Sequence, residues 1–182
     1  MTRKNMNIYL SSAYLAPVQY YTKFLSANHI FIEKNDSYIK QTYRNRSTII
    51  SANGEISLSI PVVHSSKDKT LMKDIRIAEH GNWQHMHWNA IISAYNSTPF
   101  FEYYQDDFYP FYHKKYTFLF DLNEELRVLI LKLLNIELPY IEYTNEYKID
   151  FSANEIDLRD IIHPKKDWSA LDSTSVVLEN KD

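Results

Sequence analysis

Thr48-Ile49-Ile50-Ser51-Ala52-Asn53-Gly54-Glu55-Ile56-Ser57-Leu58-Ser59-Ile60-Pro61-Val62-Val63 reads as two short strands joined by a tight turn. Asn-Gly is the preferred pair for a type I′ turn, in which both central residues need positive φ. Beyond it, Ile56, Leu58, Ile60 and Val62 alternate with Ser57, Ser59 and Pro61, so one face is apolar and the other polar. A turn over Asn53 and Gly54 sets Ile49 opposite Leu58, a cross-strand contact of about 0.2–1 kcal/mol.

Upstream of the hairpin the order is strand, loop, helix, strand. Asn7 to Leu10 reads as a first strand. Pro17 to Ala27 reads as a helix, with Val18, Tyr21 and Leu25 at helical spacing and Pro17 at a position where its missing N–H costs nothing. His29 to Glu33 alternates as a second strand. Downstream, Leu71 to Ile77 reads as another strand, and Trp83 to Tyr95 as a helix with Trp88, Ile91, Ile92 and Tyr95 on one stripe and Pro99 closing it.

In Phe100 to Phe120, eleven of twenty-one residues are Phe or Tyr, and no period holds long enough to assign helix or strand. Asp121-Leu122-Asn123-Glu124 resembles a capping box ahead of a helix to about Leu134. The expectation is an α/β protein: one domain over residues 1–168, a mixed sheet that includes the Asn-Gly hairpin, about three flanking helices, and a mobile tail over residues 169–182.

Composition removes several classes of function. The 182 residues contain no Cys, which excludes disulfide and thiolate chemistry and fits a reducing compartment, so the cytoplasm is expected. Two glycines cannot build a Gly-rich phosphate loop. A net charge of -3 gives no general attraction to nucleic acid. No apolar run approaches the roughly 20 residues of a membrane span, and the basic N-terminus has no apolar segment after it.

The polar cluster Gln41-Thr42-Tyr43-Arg44-Asn45-Arg46 stands just before the hairpin. Guanidinium forks suit carboxylate or phosphate, and the amides add adaptable donors and acceptors, so an anionic or hydroxylated ligand matches the set. The plainer reading is a solvent-facing loop with local ion pairs. Strand alternation puts Gln41, Tyr43 and Asn45 on one side and Arg44 and Arg46 on the other.

His80, His85 and His87 invite a metal, but helical geometry sets His85 and His87 roughly 200° apart, and no metal site is expected. Each is otherwise a candidate acid or base, or simply a capping or core histidine. Asp106-Asp107 is either a carboxylate pair or a solvated turn, and the dense aromatic residues suit a sugar face as well as a core.

Taken together, these segments resemble the WbqC-like family, a bacterial group named from O-antigen gene clusters. The resemblance is carried by Tyr14-Leu15-Ala16-Pro17-Val18-Gln19-Tyr20-Tyr21, by the Gln41 to Arg46 cluster, by Leu58-Ser59-Ile60-Pro61-Val62, by Lys73-Asp74-Ile75-Arg76-Ile77, and by Trp83 through Tyr95 with Ser97-Thr98-Pro99-Phe100-Phe101. One departure is Ser11-Ser12, where many members carry Gln-Pro at the end of the first strand.

The resemblance implies a setting in surface-polysaccharide or glycan biosynthesis. The expected activity is that of a transferase-type enzyme taking a small-molecule donor, such as a sugar nucleotide or an acyl donor, with no cofactor. Arg44 or Arg46 would neutralise the donor, Asn45 and Gln41 would orient it, and Tyr14 and Gln19 would line the opposite wall. Arg76 joins the binding set, and His87, His80 and Asp74 are the candidate acid or base. The rival expectation is a non-catalytic glycan-binding or assembly protein with a Tyr-rich surface, which leaves a homo-oligomer open.

Overall fold

Ile8, Leu10, Ile30 and Ile32 alternate along two neighbouring strands and bury one face of a parallel sheet. The computed structural model describes residues 6–63 and 69–166. Its elements are β1 (Asn7–Ser11), α1 (Val18–Ser26), β2 (His29–Glu33), β3 (Arg46–Ser51), β4 (Gly54–Ser59), β5 (Val62–Val63), β6 (Arg76–Ile77), α2 (Trp83–Tyr95), α3 (Phe101–Phe108), α4 (Leu119–Leu133), β7 (Tyr140–Tyr143) and β8 (Glu155–Asp157). Among the described residues no helix is long and apolar enough to cross a membrane.

The four-stranded sheet has the order β7-β2-β1-β8, and every neighbouring pair is parallel. With two small antiparallel sheets beside it, this is the expected α/β class. β1, α1 and β2 form a strand-helix-strand unit, whereas β8 joins β1 from the other side. The strand order therefore reverses at β1, and in open α/β sheets ligands seat in the crevice that such a reversal leaves at the carboxyl ends.

Two apolar clusters hold the molecule. One packs α1 and the end of α4 on the sheet through Tyr20, Phe24, Ile30, Ile32 and Leu131. The other gathers the hairpin, α2 and the start of α4 around Leu58, Ile60, Met72, Trp88, Leu119 and Leu122. α4 belongs to both, so it ties the hairpin half to the sheet half.

Several sequence expectations change in detail. The hairpin forms its own two-stranded sheet instead of joining the central one. Its register pairs Ser51 with Gly54, Ile49 with Ile56 and Ser47 with Leu58, so Ile49 does not oppose Leu58. The loop is Ala52-Asn53, and only Gly54 has positive φ, at 111°. The reason is Ser51: its hydroxyl donates to the Gly54 carbonyl and accepts from Asn53 N–H, which favours a turn one residue earlier than type I′. A shift of two residues in the pairing sum keeps every side chain on its expected face.

Leu71 to Ile77 is not one strand, because Met72–Asp74 is a 3-10 turn and only Arg76–Ile77 pairs as β6. α4 begins at Leu119, so Asp121 lies in its first turn and the capping-box reading fails. A carboxylate there still complements the helix dipole. The aromatic stretch becomes α3 followed by a 3-10 turn over Tyr109–Tyr112. The tail expected over residues 169–182 lies outside the described residues.

Candidate functional site

β1 ends in Ser11, β2 in Glu33 and β8 in Asp157, so three polar residues mark the carboxyl edge of the sheet. The segments that leave this edge carry Asn35, Asp36, Arg159 and Asp160. Arg44 reaches in from the turn before the hairpin. With Ser37, Ile39 and Tyr147, these residues enclose a cleft of about 340 Å³.

Arg44 is buried at the base of this cleft. Its Nε donates to Asp36 Oδ2 at 3.1 Å, and Nη2 donates to the same oxygen, to Ser11 Oγ at 3.0 Å and to Asp160 Oδ1 at 3.4 Å. Burial pushes the Asp36 carboxyl up and Arg44 pulls it back, with the net result above the ordinary value. The second oxygen of Asp36 is buried and has no hydrogen-bond partner. Asp160 is the accessible acid, its side chain 58% exposed.

Arg159 supports the neighbouring wall. It donates to Glu33 Oε2 at 2.8 Å, to both Asp157 oxygens and to the Lys148 carbonyl. Burial works to lower its pKa, but Asp157 and Glu33 prevail and the guanidinium is held above its usual value. The guanidinium lies 4.1 Å from the ring centroid of Tyr147, which is 46% exposed and so keeps ring surface open toward the cleft. Glu33 is fixed in turn by Thr144 Oγ1 at 2.5 Å and Asn35 N–H at 2.8 Å.

A cationic margin adjoins the cleft. Lys165 Nζ donates to Gln41 Oε1 at 3.1 Å, and Lys73 Nζ to Asn35 Oδ1 at 3.0 Å, so both ammoniums rest on neutral amides. Burial, then Lys166, Lys165 and Arg44, keep His163 below the usual imidazole value, which places that ring among the same charges.

The sequence-expected residues separate into different places. Residues 41–45 form turns and not a strand, so the alternation argument does not apply to them. Arg44 lines the cleft and Gln41 stands beside it through Lys165. Asn45 instead clamps the hairpin, its Nδ2 donating to the Ile60 carbonyl at 2.8 Å and its own carbonyl accepting from Ile60 N–H. Arg46 opens β3 with its Nε buried and without a hydrogen-bond partner. Both arginines act on Tyr38: burial pushes its phenol up to about 12, and Arg44 and Arg46 pull against that.

Tyr14 and His87 meet in the core away from this cleft. Tyr14 Oη lies 2.9 Å from His87 Nδ1 and 3.0 Å from Tyr112 Oη. Burial holds His87 down at about 4, against a smaller upward pull from its bond to the Ser59 backbone. The imidazole is therefore neutral, donating to the Ser59 carbonyl and accepting from Tyr14. Gln19 sits in the first turn of α1 and does not line the cleft. His80, Asp74 and Arg76 are exposed and lie outside it too, with Arg76 over the Phe118 ring at 5.4 Å. Asp106 and Asp107 fall on α3. Among the described residues no three His, Asp or Glu side chains converge on a point suited to a metal ion.

Glu33, Asp36, Tyr147, Asp157, Arg159 and Asp160 were not singled out from sequence. The available signal was Ile156-Asp157-Leu158-Arg159-Asp160, a charged run directly after an apolar strand position. It points to a site only once β8 is known to lie beside β1.

An α/β protein with a polar crevice where its parallel strand order reverses is thus the class that fold and site define. The WbqC-like protein family profile matches residues 12–164, and the chain belongs to that family. No curated protein and no solved structure matches it. Ser11, which accepts from Arg44 Nη2 at 3.0 Å, belongs to the Ser11-Ser12 pair that departs from the Gln-Pro of the family resemblance.

Proposed function

We propose that this WbqC-like protein is a transferase-type enzyme of surface-polysaccharide or glycan biosynthesis, working in the cytoplasm with residues 1–168 as one unit. It seats the sugar-containing part of a donor in the Arg44 cleft. The observation that carries this reading is the cleft itself, in which an accessible carboxylate, an open aromatic ring and buried guanidiniums converge at the carboxyl edge of the sheet.

Chemistry sets the assignment of parts. Arg44 and Arg159 already face four carboxylates, so a bare phosphate gains little at the base of the cleft. Hydroxyls gain more, since each can donate to a carboxylate and accept from an N–H. Tyr147 offers its ring to the C–H face of a sugar. The anionic group of the donor belongs at the margin, beside Lys165 and Gln41 or Lys73 and Asn35. Asp160 is the acid or base within reach of a bound hydroxyl, a role that His87 cannot fill from the core.

A ligand that binds only the folded state must raise its melting temperature. The test is thermal shift with a panel of sugar nucleotides on the wild type, Asp160→Asn and Tyr147→Ala. At least one donor should stabilise the wild type, and both variants should lose the shift. A panel with no effect on the wild type overturns the proposal.

A second reading, a non-catalytic binding or assembly protein, is favoured by one feature. Phe100, Tyr103, Tyr104 and Tyr109 are all exposed on or beside α3, which buries none of its own residues. A self-association constant that falls on Tyr103→Ser, with no donor binding at all, would support it.

A further inference from the structure

Between the start of α4 and the end of β7 the structure holds a second, wider cleft of about 600 Å³. We infer that it is a separate binding site for a neutral polyhydroxyl group, most simply the ring of a sugar. It is built on a buried ion pair and shares no lining residue with the Arg44 cleft.

Glu124 and Arg127 are one turn apart on α4 and are 6% and 4% exposed. Arg127 Nε and Nη2 donate to one carboxylate oxygen, Glu124 Oε2, at 2.8 and 2.7 Å. The other carboxylate oxygen, Oε1, and the remaining guanidinium nitrogen, Nη1, are buried without a close hydrogen bond; the further polar neighbours of the pair are Ser12 and Tyr143 for Glu124 and Tyr143 for Arg127. A pair placed in this way is completed by a group that both donates and accepts, the part that the Tyr143 hydroxyl takes. A hydroxyl is that partner: its proton goes to Glu124 Oε1 and its lone pair takes Arg127 Nη1–H.

Tyr143 stands at the entrance. Its phenol is raised by burial and by Glu124 and lowered by Arg127, so its hydroxyl sits against both members of the pair. It occupies the place that a ligand hydroxyl would take, and it is 40% exposed and so able to yield. Glu124 is itself above the ordinary carboxyl value, first through burial.

The walls set the ligand class. Tyr116, Phe118, Phe120 and Tyr143 supply aromatic surface for a C–H face. The lysines there are matched by acids, Lys114 to Glu125 at 3.0 Å and Lys115 to Glu79 at 2.6 Å, which leaves no surplus cation for a phosphate. Asn123, beside Glu124 on the same helix, donates to the Arg44 carbonyl at 2.8 Å, so α4 is tied to the segment that carries Arg44. Two sites linked through that bond suit a reaction with two substrates.

The test is a backbone amide NMR titration with methyl glycosides of glucose, galactose and N-acetylglucosamine, with sodium phosphate as the anion control. At least one glycoside should give saturable shifts within residues 118–125 and at Tyr143, while phosphate gives none there. Glu124→Gln should weaken that binding at least about threefold, a change small in free energy but easily read. Should that variant fail to fold, Phe120→Ala serves with the same expected loss. Asp160→Asn should leave it unchanged, which separates this site from the Arg44 cleft. No saturable shift with any glycoside, or shifts equal in the folded variants, overturns the inference.

Discussion

Tyr14 Oη and His87 Nδ1 lie 2.9 Å apart, both buried, with Tyr112 closing the chain of hydroxyls at 3.0 Å. His87, one of the three candidate acids or bases, is a neutral strut between β1's following loop and α2. Burial lowers its pKa from 6.5 to about 4, so the unfolded chain binds the proton more readily between those values. Stability must then rise with pH across that window and fall as pH drops from about 6.5 towards 4. The full span is worth up to about 3 kcal/mol on the conversion of one pKa unit to 1.36 kcal/mol. Urea denaturation across the window should show this slope, and His87→Gln should flatten it.

Tyr14→Phe probes the same strut from the other end. The ring still fills its place, but His87 Nδ1 loses its donor and Tyr112 its partner. Leaving buried polar groups unpaired costs about 1–3 kcal/mol. A midpoint in urea unchanged from wild type would show that the hydroxyl chain contributes nothing.

Gly54 tests the turn. At φ 111° it occupies backbone space that L residues avoid, yet a Cβ there would meet nothing within 4 Å. Gly54→Ala should therefore destabilise through backbone strain alone, by about 1–3 kcal/mol. Asn53→Ala, at a position without positive φ, should cost less than Gly54→Ala by thermal denaturation. A type I′ turn, with positive φ at both positions, would make the two comparable.

The parts legible from sequence were those whose signal is local. β2 and α2 have the bounds that alternation and the Trp88, Ile91 stripe indicate, because a single buried face fixes each. The hairpin was legible as a pair, but its turn was set by a Ser51 hydroxyl that competes with the Asn-Gly preference. Leu71 to Ile77 alternates like a strand and still turns, since Asp74 N–H bonds back to the Leu71 carbonyl. The cleft was mostly illegible. Arg44 was visible as a charge and Asp36 lies only eight residues before it, but Arg159 and Asp160 reach the cleft only through the parallel pairing of β8 with β1, segments more than a hundred residues apart.

Arg44 and Asp160 separate scaffold from ligand contact, although they share a hydrogen bond at 3.4 Å. Arg44→Ala strands the buried Asp36 carboxylate, and breaking a buried pair in this way costs about 3–5 kcal/mol. Its loss of ligand binding would then be inseparable from loss of fold. Asp160 is exposed enough that the surface-pair range of about 0–1 kcal/mol applies to Asp160→Asn. Thermal denaturation should thus show a large drop for Arg44→Ala and almost none for Asp160→Asn. Donor binding, measured on the folded Asp160→Asn protein, should still be weakened. Equal thermal losses for the two variants would mean that Arg44 is not the structural centre of the cleft.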